Sequence, residues 1–164
     1  MNWFPWLLWL HIFGAIVAFG PIFTFPLIGS MGAKEPMHAN FATRISARIS
    51  HGITIPLAVV QGITGLALLY VSGRDLTKST NYWLDVAIVL YVIALSFSYF
   101  VQARRVGTIV EMTMTQPPPP APGQAPAGPP PALMARIRQV QQGGMLLTAL
   151  IVTIIFLMVI KPGG

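Results

Sequence analysis

The sequence predicts an all-α membrane protein, a polytopic four-helix bundle with both termini on the outer side of the bilayer. Two observations lead there. More than half of the 164 residues are hydrophobic and only 9% are charged, whereas a soluble domain typically carries about 25% charged residues. The apolar residues also fall into four runs, each close to the ~20 residues that a spanning helix needs. A chain of this length filled by four spans leaves no room for a separate soluble domain, so a single integral membrane domain is expected.

The first run extends from about residue 3 to 28. Trp3, Trp6 and Trp9 crowd its start, as in an interfacial aromatic belt. Pro21 and Pro26 each remove a backbone donor, so a kink is expected in its second half. No basic residue precedes this run, so it reads as an uncleaved first span rather than a signal peptide. The second run covers about 49 to 71, with Pro56 as a further kink. The third begins at Tyr82-Trp83 and crosses by about 101, with helical character expected to continue through Arg104 to Met114. The fourth, about 143 to 160, follows a polar lead-in from Leu133 to Gln142. Between the last two runs, residues 116–131 contain only Pro, Ala, Gly and Gln. That composition predicts a Pro-rich, PPII-like cytoplasmic connector.

The ten Lys and Arg residues flank the spans. Their charge is therefore read as a topology signal rather than a nucleic-acid footprint. Seven of them (Lys34, Arg44, Arg48, Arg104, Arg105, Arg136, Arg138) border the first and third loops, against three (Arg74, Lys78, Lys161) on the other side. The positive-inside rule then places the first and third loops in the cytoplasm of a bacterial inner membrane. The expected partners are the lipid bilayer and either a larger membrane complex or further copies of the chain; no nucleic acid is expected. Absence of cysteine excludes disulfides, iron–sulfur clusters and thiolate catalysis. No phosphate-binding glycine loop, zinc motif or nucleophile triad is present.

His11 in the first span and His51 at the start of the second are the candidate functional residues, because ionisable groups in a bilayer are costly. Helical rise puts His11 about 12 Å and His51 about 30 Å below the outer surface. That separation argues against one iron ligated by both. Gln61 and Tyr91 lie near the level of His11 and are its candidate hydrogen-bond partners. Gly14, Ala15 and Ala18 share the His11 face, and Thr54, Ala58, Gly62 and Gly65 share the His51 face. Small residues of this kind serve either close helix packing or a flat cofactor. Near His51, Arg48, Arg104 and Arg105 form a basic inner rim. It suits either lipid phosphates or an anionic ligand such as haem propionates. Asp85 near the outer end of the third span is expected to pair with Arg74 or Lys78, and Glu111 with Arg104. Met112, Met114 and the Met37-His38 pair are copper(I) ligand types, but scattered ones.

Trp9-Leu10-His11-Ile12-Phe13-Gly14-Ala15 followed by Phe19-Gly20 resembles the first span of a family of small bacterial membrane proteins. Arg48-Ile49-Ser50-His51-Gly52 leading to Pro56 and Thr64-Gly65-Leu66 resembles its second span. That family is similar to the membrane domains of the CopD copper-resistance proteins and, more distantly, to HemJ-type protoporphyrinogen oxidases. The resemblance implies a four-helix bundle with a functional histidine in the first span. In the HemJ-type relatives it implies a haem-linked redox role. Only His11 and His51 correspond to such positions; the third span lacks the lysine that those relatives carry. The functional expectation is a small redox-associated protein with b-type haem bound through a transmembrane histidine. The alternative is a non-catalytic accessory subunit or a small transporter-like module.

Overall fold

The computed structural model describes residues 2–35, 38–74, 76–114 and 130–163. All regular structure among these residues is helical. In chain order come α1 (Phe4–Phe19), a 3-10 turn (Gly20–Phe23), α2 (Phe25–Lys34), α3 (Ala39–Ile49), a π-turn (Ser50–Thr54) and α4 (Ile55–Ser72). A short 3-10 turn (Ser79–Asn81) then leads to α5 (Tyr82–Phe97), a second π-turn (Ser98–Gln102), α6 (Ala103–Met114) and α7 (Pro131–Ile160). These join into four continuous runs, Phe4–Gly32, Ala39–Ser72, Tyr82–Met114 and Pro131–Ile160, each long and apolar enough to cross a membrane. Apart from its last two prolines, the 116–131 connector lies outside the described residues.

Proline and glycine explain where the helices change course. Pro5 sits in the first turn of α1, where a missing N–H costs nothing. Pro21 falls in the 3-10 turn that separates α1 from α2, and the Thr24 hydroxyl donates to the Pro21 carbonyl at 2.7 Å. The expected kink in the first span is therefore a one-turn tightening. At Pro56 the accommodation is different. The proline opens α4, and the preceding turn widens to π geometry. Gly73 ends α4 with φ 62, a left-handed conformation that glycine adopts without a Cβ clash. The third span does continue as helix to Met114, and the polar lead-in of the fourth is part of one unbroken α7.

At ~1.5 Å per residue, runs of 29 to 34 residues measure about 44–51 Å, more than the ~30 Å hydrocarbon layer. The polar α3, α6 and first half of α7 supply the excess and pack together at the basic end. Within the spans α1 packs chiefly on α4, and α5 on α7. Small residues set these crossings, as expected where lipid gives helices no hydrophobic drive to associate. An added Cβ at Gly14 would stand 2.8 Å from Gln61 Oε1, at Gly62 3.0 Å from Tyr91 Oη, and at Gly32 2.9 Å from the Ala42 Cβ. The buried core mixes small residues, Ala18, Ala58, Ala87 and Ala94, with Ile22, Ile55, Leu147, Ile151 and the larger Trp83. Large apolar residues such as Phe13, Ile63, Val89 and Phe156 point outward, as lipid-facing surfaces require.

Candidate functional site

His11 is clamped between α1 and α4. Its Nδ1 lies 2.9 Å from Thr64 Oγ1, and the Thr64 hydroxyl in turn donates to the Gln61 carbonyl at 3.0 Å. Thr64 has one hydroxyl proton, so with that proton on Gln61 the Nδ1–H of His11 is the donor. The Cε1 atom of the same ring sits 3.2 Å from where a Cβ at Gly65 would be. The side-chain partner of His11 is thus Thr64, rather than the Gln61 or Tyr91 side chain that depth alone suggested. Gln61 is buried with its Oε1 turned toward Gly14. Tyr91 donates its hydroxyl to the Ala58 carbonyl. The small-residue faces around His11 are consequently filled by Gln61, Tyr91 and His11 itself, and no flat slot remains there.

His51 lies in the first π-turn, and its setting is the opposite. Its side chain is exposed, and Nδ1–H donates to the Ala47 carbonyl at 2.9 Å. This fixes the tautomer and leaves the Nε2 lone pair pointing away from its own helix. Anchoring one ring nitrogen so that the other can ligate is the arrangement usual for metal-binding histidines. A shallow open concavity around it is formed by Ala47, Arg48, His51 and Gly52. Nothing stands within 4 Å of a Cβ at Gly52, so this face is unobstructed. His11 packs at Thr64 and Gly65, and His51 lies 13 positions before Thr64 in the same helical run. The two histidines are therefore about 20 Å apart along the axis and form separate sites.

The three arginines do not converge. Arg48 is exposed beside His51. Arg105 donates to the Gln139 carbonyl at 3.3 Å and lies 5.8 Å above the Phe97 ring, so it serves the α6–α7 contact. Arg104 is exposed on α6. Among the described residues no hydrogen bond or ion pair joins Arg104 or Arg105 to His51. Nor does an ion pair hold Asp85 or Glu111 among those residues; Arg74 instead bonds Asn81 Oδ1 at 3.2 Å and lies over Trp83. His38 pairs with Glu35 at 2.9 Å, and Met37 lies outside the described residues. No group of three or more His, Cys, Asp or Glu able to hold a metal occurs among the described residues.

Thr64 is the residue that sequence reasoning passed over as a partner. Its signal was present, since Gln61 and Thr64 stand three apart inside an otherwise apolar run, and buried polar groups in a membrane seek internal partners.

Residues 5–162 match the model of the DUF2269 family, described as a predicted integral membrane protein. No curated protein and no solved structure matches the chain.

Proposed function

The chain belongs to the DUF2269 family of predicted integral membrane proteins, and we propose that it is a small redox-associated protein that binds b-type haem through His51. One observation carries the reading: the Nε2 lone pair of His51 is open, because Nδ1–H is held on the Ala47 carbonyl at 2.9 Å. A porphyrin fits by donor chemistry at this outer face, beside Gly52, and not inside the bundle, whose central cavity measures about 50 Å³. In the proposed bacterial inner-membrane orientation His51 lies near the cytoplasmic surface. Propionates there reach water or the Arg48 guanidinium, which binds carboxylates through a planar fork. When bound, the haem supplies one-electron chemistry, and the protein sets its position and electrostatics. His11, clamped by Thr64 and Gly65, acts as a tie between the first two spans.

An absorption spectrum of protein purified from cells supplied with ample haem tests this. A Soret band is expected, and its absence removes the haem reading. Arg48→Ala should weaken haem retention by about 10- to 150-fold, the range for losing a charge-assisted bond of roughly 1.5–3 kcal/mol; unaltered retention would take Arg48 out of the site.

A second reading is an accessory subunit of a larger membrane complex or a small transporter-like module. It is favoured by the packed interior, whose cavity between the spans measures about 50 Å³. A protein without the Soret band leaves this reading standing.

A further inference from the structure

Both π-turns border one cavity. All four spans line it, with Phe19 from the first, Thr54 and Ala58 from the second, Tyr91 and Ser98 from the third and Ile151 from the fourth. Thr54 is the last residue of one π-turn and Ser98 the first of the other. Thr54 is only 6% exposed, and its Oγ1 has no hydrogen-bond partner. A buried hydroxyl left unpaired is costly, more so in a membrane, where no solvent can reach it from outside. The cavity of about 50 Å³ has room for one or two waters, each occupying ~30 Å³ in the liquid.

We propose that this cavity is an internal water site. One or two waters bridge Thr54 Oγ1, Ser98 Oγ and Tyr91 Oη, whose own proton goes to the Ala58 carbonyl and whose lone pairs remain to accept. Thr54, Ser98 and Tyr91 all line the cavity, and a buried water needs two to four polar partners. Thr54, Gln61 and Thr64 are all buried on the same helical run. The water therefore joins a polar file about 15 Å long from Thr54 to the Thr64–His11 bond. The site is independent of the haem reading.

Thr54→Val keeps the shape and removes the hydroxyl. If water is present, the variant takes away one of its partners, and the thermal midpoint of the purified protein in detergent falls. A dry cavity gives the other sign: removing an orphan hydroxyl leaves the midpoint unchanged or raises it, and that result overturns the proposal. Xenon gives a second readout on the unaltered protein. A hydrated cavity rejects xenon, and the Thr54→Val/Ser98→Ala double variant admits it. Xenon occupying the cavity of the unaltered protein overturns the water site whatever the variants do.

Discussion

Replacing His51 by Ala is expected to abolish the Soret band, while His11→Ala keeps it at its full intensity per folded molecule. The asymmetry follows from how each ring is held. Both present Nδ1–H to an acceptor, Ala47 carbonyl for His51 and Thr64 Oγ1 for His11. Only His51 is exposed, with open space beside it at Gly52. The His11 ring lies over Gly65, its Cε1 3.2 Å from where a Cβ there would stand, and the helix faces around it are already occupied. His11→Ala should instead act on stability. It removes a half-buried bond between two spans and leaves a small void, together roughly 1–3 kcal/mol. A lowered thermal midpoint with an intact spectrum is the expected pair of results. Loss of the band in His11→Ala, with His51→Ala unaffected, would reverse the two roles.

Gly143→Leu should be strongly destabilising. Gly143 is buried on α7, where a Cβ would collide with Gln102 Oε1 and stand 3.3 Å from Phe97 Cε1. Gln102 cannot simply swing away, because its Nε2 donates to the Val140 carbonyl at 2.8 Å. Overpacking of this kind costs about 1–3 kcal/mol, and losing the interhelical hydrogen bond adds roughly 0.6–1.7 kcal/mol. Gly144 next to it supplies the control, since nothing lies within 4 Å of its Cβ position. Gly144→Leu should leave the thermal midpoint in detergent nearly unchanged. Equal losses at the two positions would mean that Gln102 does not fix the contact between the second π-turn and α7.

The four spans were legible because bilayer thickness and apolar run length are tied by simple geometry. The extension of the third span to Met114 was legible for a similar reason, as its amphipathic pattern continues past the last apolar stretch. The two π-turns were not. A π-turn differs from an α-turn by one inserted residue and leaves no mark in hydrophobic periodicity, although Pro56 does signal a disturbance near the first. Levels along the membrane were readable from helical rise, which is why His11 and His51 were separated correctly. Rotation about each helix was less readable. Arg48, Arg104 and Arg105 share a level, yet the structure turns Arg105 toward Gln139 and Phe97 and leaves Arg48 with His51. Equally, the run of Gly and Ala near His11 fits either tight packing or a cofactor slot by composition. Only the placement of Gln61 at Gly14 and Tyr91 at Gly62 decides for packing.

The central claim is that His51 Nε2 is the nitrogen open to a haem iron. Electron paramagnetic resonance of the oxidised, haem-loaded protein, grown with ring-¹⁵N histidine, reads the iron's ligand directly. A histidine ¹⁵N hyperfine coupling is expected to persist in His11→Ala and to disappear in His51→Ala. A coupling that survives in His51→Ala would contradict it.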